Sequence, residues 1–463
     1  MRKTWKKIAA VSLAAVMGAS LAGCSGSKEA PTAAETTKEE TTAAATTQAG
    51  TTAAEGGETS GEPVTLKITW WGGQTRHDYT QVLLDAYTKS HPNVTFEAYP
   101  SGWDGYFDKL ATQAASGSMP DIVQMDYLYI STYAKNNSMA DLQEFIDDGT
   151  IDVSKINPAL LNTGLVNGKM AGLVLSTSIL SVGYNPEVLA EAGIDKIDPE
   201  WTWDDFVSIC KTVKEKTGKY GFSIIMADDT NNFNYYVRQH GVPLFAADNK
   251  SLGYDDDQIF VDFVNMMTEL IDAGAMPNPD EYDAIKAVGQ EAAPVVMGEG
   301  AMVTDWNNYA VRMEKVNDKL ALATPPTMAD GSKGLWSKPG MFFSVAESSK
   351  VKKEAAEFID WFLNSEEAND IMMAERGTPV SSDIRSYMKN SGKLSPKQIE
   401  MFDYADQAIA ICGETPAPDP AGISEVNEAF HTAVYSVLYG QASVEQAAAD
   451  FRTKANEILS RNN

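Results

Sequence analysis

Residues Val64 to Asp126 read "VTLKITWWGGQTRHDYTQVLLDAYTKSHPNVTFEAYPSGWDGYFDKLATQAASGSMPDIVQMD". The opening alternates: Val64, Leu66, Ile68 and Trp70 share one face of a strand, where side chains repeat every second residue. Asp78 is placed to cap a helix carrying Val82, Leu83, Ala86 and Tyr87, and His91-Pro92-Asn93 stops it. "VTFEAY" is a second strand, "GYFDKLATQAASG" a second helix ending near Gly117, and "PDIVQMD" a third strand. Strand, helix, strand, helix, strand calls for a parallel sheet with helices on both faces, an α/β fold.

Towards the C-terminus, "MAGLVLSTSILSVGYN" is long for one element and is expected to cross between two domains. Helices are expected at Glu187–Ala192 and over "TWDDFVSICKTVKEKTG", with Thr202 as cap. "YGFSIIM" opens a second α/β lobe, which contains the helix "DQIFVDFVNMMTELIDAG" and the short strand "GEGAMVTDWNNY". "LALATPPTM" reads as another crossing. "GMFFSVAES" and "KKEAAEFIDWFLNS" form a strand-helix unit. The C-terminal part is helical: "PKQIEMFDYADQAIA", a helix from about Ile423 to Tyr439, and "SVEQAAADFRTKANEILS" with Ser443 as cap.

Towards the N-terminus the composition changes. Arg2, Lys3, Lys6 and Lys7 precede an apolar run, Ile8 to Leu21, too short for a spanning helix and placed where a secretory signal belongs. It closes on Leu21-Ala22-Gly23-Cys24, which matches the bacterial lipobox. That match implies a signal peptide over 1–23, cleavage before Cys24 and a lipid on its sulfur, hence a protein held on the extracytoplasmic face of the cell membrane. Residues 24–61, nearly all Thr, Ala, Glu, Gly and Ser, offer too little apolar bulk to offset their ordering entropy and read as a disordered tether.

The remaining body, about 400 residues, exceeds one ordinary core, so two domains are expected. A formal net charge of -27 argues against nucleic-acid partners and against an electrostatic hold on anionic lipid. Of three cysteines, Cys210 and Cys412 lie in the body and read equally as two thiols or one disulfide. No cofactor is expected. There is no Gly-x-Ser-x-Gly elbow, no His-Glu-x-x-His, no phosphate-binding loop and no spaced ligand cluster, and four histidines make a His-rich metal site unfavourable.

Several segments, in order, resemble the extracellular solute-binding proteins of carbohydrate ABC importers. They are "ITWWGG", "KLATQAASGSMPDIVQMD", "LSVGYNPEVLAEAGI", "WTWDDF", "GEGAMVTDWN", "KKEAAEFIDWFLNSEEAND" and "VEQAAADFRTKANEIL". The resemblance implies a two-lobed, periplasmic-binding-protein-like fold of type II. Each lobe is a mixed sheet flanked by helices, and hinge segments join them: 62–175 with 330–377, and 176–329 with 378–463. It also implies an oligosaccharide in the inter-lobe cleft, a monomer, and docking onto permease subunits. Trp-Trp-Gly-x-Gln-x-Arg-His-Asp further resembles a branch associated with pectin fragments, rhamnogalacturonan and other uronate-containing oligosaccharides.

A sugar presents C–H faces to aromatic rings and a rim of hydroxyls to amides, carboxylates and Arg. Such groups are expected on loops at the carboxyl ends of parallel strands. Trp70 reads equally as core and as contact, while Trp71 points the other way and is the expected stacking ring. Gln74, Arg76 and His77 sit at a helix start that attracts anions, with Arg76 able to fork a carboxylate. Trp103, Gln124 and Asp126 follow the second and third strands, and Thr177 lies at the crossing. Asp305, Trp306 and Asn307 are the candidates on the second lobe, and Trp336, Lys338 and Arg376 add an aromatic and two cations. The expected activity is non-catalytic capture and delivery. The rivals are a secreted lyase or glycosidase and a polysaccharide adhesin.

Overall fold

In the computed structural model, the N-terminal pattern is realised as β1 (Val64–Trp71), β2 (Val94–Ser101) and β3 (Ile122–Met125). All three are parallel, with β1 in the centre. The structure describes residues 62–461, all within the unit Thr59–Asn463. The signal peptide, the tether and Cys24 therefore lie outside the described residues.

The helix after β1 starts earlier than the sequence suggests. It spans Gln74–Ser90, and its N-cap is Gly73, held extended at φ -85° and ψ 177°. Asp78 sits inside the helix and accepts from the Gln74 side-chain amide at 2.7 Å, so it ties two successive turns rather than capping the first.

β4 (Leu165–Val166) and β5 (Lys169–Met170) form a hairpin. Asn167 and Gly168 both take positive φ at its turn, the conformation that matches strand twist in a two-residue hairpin. β6 (Leu173–Tyr184) follows, 12 residues long and buried along nearly all of its length. β7 (Tyr220–Phe222), β8 (Gly300–Trp306), β9 (Ala321–Ala323), β10 (Ser337–Val345) and β11 (Thr378–Pro379) complete the set. The sheet runs β2-β1-β3-β10-β6-β8-β7, and β9 and β11 also pair with β6.

β6 joins two cores. Leu173, Val174 and Leu175 pack with residues between Leu66 and Ala171 and between Met341 and Val380. Ile179, Leu180 and Val182 pack with residues up to Trp336 and from Tyr404 to Leu459. Between them Ser176 and Thr177, each 1% exposed, pair with both β10 and β11. The β10 register shifts around Pro339 and Met341. Gly340 is required there, because a Cβ would stand 2.3 Å from Ser176 Oγ.

Four expectations change. Of "YGFSIIM" only Tyr220–Phe222 is strand; Ile225 and Met226 are buried by packing. "LALATPPTM" does not cross: β9 pairs with Val182–Tyr184 on the second half of β6. The crossing is β10, since Leu335 and Trp336 still pack in the second core, where a boundary at 330 puts them in the first. Val380 packs in the first core, beyond the expected 377.

The other two expected helix caps follow the sequence. Thr202 and Asp205 form a capping box ahead of Trp203–Thr217, and Ser443 Oγ accepts from Gln446 N–H at 3.2 Å. Cys210 and Cys412 are free thiols, and burial pushes Cys412 up to about 11. No described helix is long and apolar enough to cross a membrane.

Candidate functional site

The strands that cross between the cores form the floor of a cleft. A cavity of about 420 Å³ is lined by Ser178, Lys338, Pro339 and Gly340 from the crossing strands. Trp103, Asp126 and Tyr127 come from the first core's side, and Trp306, Asp419 and Ile423 from the second. Trp306 is also a wall of a second cavity, about 520 Å³, within the second lobe. Both volumes fall in the range of small-molecule sites, about 300–1,000 Å³.

Trp103 is 46% exposed and Trp71 only 8%. Trp71 packs edge-on against Trp103, with ring centroids 5.2 Å apart. The expected order is therefore reversed: Trp103 offers the face and Trp71 supports it. Trp70 is 1% exposed and donates from Nε1 to His77 Nδ1 at 3.1 Å. Trp70 is thereby taken up in a core contact that also engages one ring nitrogen of the half-buried His77, because a buried indole N–H needs a partner.

Arg76 forks Glu375, with Nε and Nη2 donating at 3.1 and 3.2 Å, and Tyr79 O–H donates to the same carboxylate at 2.6 Å. Burial raises the Glu375 carboxyl, but these hydrogen bonds outweigh it and hold it below the usual range. The fork expected for a ligand is thus filled from within the chain. Gln74 is spent on Asp78.

Four further expected contacts are structural. Gln124 is fully buried, donates to Trp71 O at 3.3 Å and accepts from Arg376. Arg376, 4% exposed, also donates to Thr80 Oγ1 at 3.1 Å. Burial lowers its guanidinium to about 10. Asn307, 1% exposed, accepts from Ile179 N–H at 3.1 Å and donates to Thr378 Oγ1 at 3.2 Å. Thr177 donates to Lys338 O at 3.1 Å. Thr177 and Asn307 thus tie the crossing strands together, while Gln124 and Arg376 tie elements of the first core. Trp336, 4% exposed, packs in the second core with the Arg238 guanidinium 5.4 Å from its ring.

Asp126, Asp305, Trp306 and Lys338 do line the cavities. Asp126 caps the helix Tyr127–Lys135, accepting from Leu128 N–H at 2.9 Å. Burial raises its carboxyl, opposed by that N–H and by Lys338. Burial likewise raises Asp419, with Lys338 opposing, and Asp305, with Arg312 opposing. The Lys338 ammonium lies 4.7 Å from the Trp306 ring centroid, a favourable cation–π distance.

The sequence reading passed over Asp228, Asp229, Lys286, Arg312 and Asp419. The polar run "DDTNN", Asp228 to Asn232, directly follows an apolar run. It carries the same signal that selected Asp126 and Asp305.

The model for the bacterial extracellular solute-binding protein family matches residues 73–369, and the chain belongs to that family. The arabinooligosaccharide-binding protein of Bacillus subtilis is 25% identical over 71% of this chain and 76% of its own. A family 1 extracellular solute-binding protein of Alicyclobacillus acidocaldarius superposes with a TM-score of 0.80 at 30% identity, covering 87% of this chain and 100% of that one. A periplasmic oligogalacturonide-binding protein of Yersinia enterocolitica gives 0.72 at 27%, covering 86% and 100%. The fold is the two-lobed type II periplasmic-binding-protein fold.

Proposed function

We propose that this chain is a non-catalytic receptor. It captures an oligosaccharide between its lobes and delivers it to the permease of an ABC importer, and one unit of the ligand is a uronate, as in pectin fragments. The observation that carries the sugar reading is the pair of cavities meeting at Trp306, with the exposed Trp103 ring opposite and carboxylates on the rim. The uronate reading rests on Lys338, the one cation lining the two cavities for which no ion pair is found among the described residues. The oligogalacturonide-binding neighbour supports it.

Calorimetric titration with trigalacturonate and with its carboxyl-reduced form tests both levels. Trigalacturonate is expected to bind at roughly micromolar Kd and to be recovered unmodified by mass. Lys338→Met is expected to weaken it about tenfold or more, and Arg76→Ala by less than about twofold, since Glu375 already fills the Arg76 fork. A uronate set beside Asp126 and Asp419 raises their carboxyls further. The complex then holds more protons than the separated partners, so uronate affinity rises as the pH falls into the range where these raised carboxyls titrate. The neutral form shows no such rise. Tight binding of the reduced form with none of trigalacturonate rejects the uronate, and cleavage of the ligand rejects the receptor.

The basic start, apolar run and Leu-Ala-Gly-Cys close support lipid attachment at Cys24. Cys24→Ser is expected to release the protein from the membrane fraction and abolish labelling by a fatty-acid probe. Unchanged labelling sinks the anchor.

A further inference from the structure

The segment 410–422 joins two helices of the second lobe, Pro396–Ile409 and Ile423–Leu438, whose Tyr404, Ala408, Val426 and Phe430 pack in the second core. It is no free loop. Gly413 N–H donates to Leu335 O at 2.9 Å, and Thr415 Oγ1 donates to Ser337 O at 2.8 Å. Arg238 staples the two chains, reaching Glu414 O at 2.6 Å and Gly334 O at 3.0 Å. Each fastening is to the second-lobe end of β10 or the residues just before it, so the segment belongs with the second lobe. Pro416, Pro418 and Pro420 follow at every second position. Three fixed φ angles stiffen the chain and remove three N–H donors. What remains is a strap that offers carbonyls.

One of those carbonyls is taken by the first lobe. Tyr127 opens the helix Tyr127–Lys135 and packs against the first core. Its ring stacks on Phe342 of β10, with centroids 6.0 Å apart. Its O–H donates to Pro416 O at 2.8 Å, across 289 residues of sequence. The bond therefore runs from a ring fixed in one core to a strap fixed in the other. Tyr127, Asp419 and Ile423 line the same cleft cavity, so the bond spans the cleft at the cavity's edge. Burial pushes the Tyr127 hydroxyl up to about 12, and the Asp419 carboxylate adds to this, so the group remains a donor at neutral pH. Parting the lobes here exchanges the bond for water, a difference of a few-fold in an equilibrium.

We propose that the Tyr127–Pro416 hydrogen bond is a clasp for lobe closure: it holds the strap to the first lobe and biases the protein towards the closed form before any ligand arrives. Tyr127 is then a positioning residue, acting on capture through the lobe equilibrium rather than through contact with sugar. The strap carries Asp419 and Ile423 to the cavity wall, so closure and completion of that wall are one event. A ligand that needs the complete wall prefers the clasped form, and the clasp lowers the cost of reaching it. The inference goes beyond the receptor reading and does not depend on which ligand is captured.

Small-angle scattering of the full protein without sugar tests it. Tyr127→Phe keeps the ring, its stacking on Phe342 and the cavity wall, and loses only the bond. It is expected to raise the open-to-closed ratio about fivefold, read as a larger radius of gyration than wild type. Thr415→Val releases the strap from Ser337 O and lies outside the cavity lining; it is expected to shift the radius in the same direction. In titration with trigalacturonate, Tyr127→Phe is expected to weaken binding by no more than that same factor, and the liganded radius returns to that of wild type. An unliganded radius unchanged by Tyr127→Phe overturns the clasp, and a large loss of affinity alongside it makes the hydroxyl a ligand contact instead. Failure of wild type to bind trigalacturonate rejects the proposed ligand, while the scattering comparison still decides the clasp.

Discussion

Trp306→Ala raises the Kd for the captured oligosaccharide about a hundredfold, roughly 3 kcal/mol, which is the scale of a buried aromatic anchor. The effect is large because one ring serves two cavities. On the proposed reading it packs against the C–H face of a sugar unit, and the Lys338 ammonium lies 4.7 Å from its centroid. Truncation removes the shared wall, frees Lys338 to wander and merges two shaped subsites into one wet opening. Trp306→Phe keeps a smaller ring and recovers part of the loss. Trp103→Ala removes a ring that already faces solvent on one side and costs less. Calorimetry on folded variants, checked by far-ultraviolet circular dichroism, decides it: a Trp306→Ala protein with wild-type Kd removes the cleft from the ligand's path.

Arg376→Ala has the largest expected effect on stability, about 3–5 kcal/mol. The guanidinium is surrounded by the Tyr79, Phe343 and Phe362 rings, with centroids 5.5–5.7 Å away, and bonds Gln124 and Thr80. Truncation leaves a cavity among rings and strands the Gln124 carboxamide at zero exposure. Burial alone makes the charged group expensive, as its lowered basicity shows. Replacing both members of the contact by apolar groups should therefore be milder than removing one. Urea denaturation of Arg376→Met, Gln124→Leu and the double variant reads this directly. The double variant is expected to be more stable than the sum of the singles predicts, and strict additivity would show that the two side chains are not coupled. Gln124 also donates to Trp71 O, so the same variants loosen the support behind Trp103.

The elements that sequence made legible are those whose signal is local. β1 alternates, and the capping boxes place both partners three residues apart. β6 is too long and too apolar to belong to one ordinary lobe, and it does run through both cores. Asp126, Asp305, Trp306 and Lys338 stood out as polar or aromatic groups at strand ends, and they line the cavities. Gln124 and Asn307 stood out for the same reason, Arg76 as a fork at a helix start and Arg376 as a cation, and all four are engaged within the chain. Their partners are remote in sequence: Glu375 is 299 residues from Arg76, Thr80 is 296 from Arg376, and Thr378 is 71 from Asn307.

Sequence by itself determined the α/β order of elements, the two cores joined by a long crossing strand, and the pool of aromatic and charged groups from which a sugar site could be built. Tertiary structure decided which of those groups are free. A buried guanidinium or carboxamide must be satisfied, and the first partner within reach satisfies it, whether that partner is ligand or chain. Folding gave Arg76 to Glu375 and Trp70 to His77, and it set Lys338 over the Trp306 ring with no ion pair found for it among the described residues. Such pairing depends on distances between residues hundreds of positions apart, which no local pattern encodes.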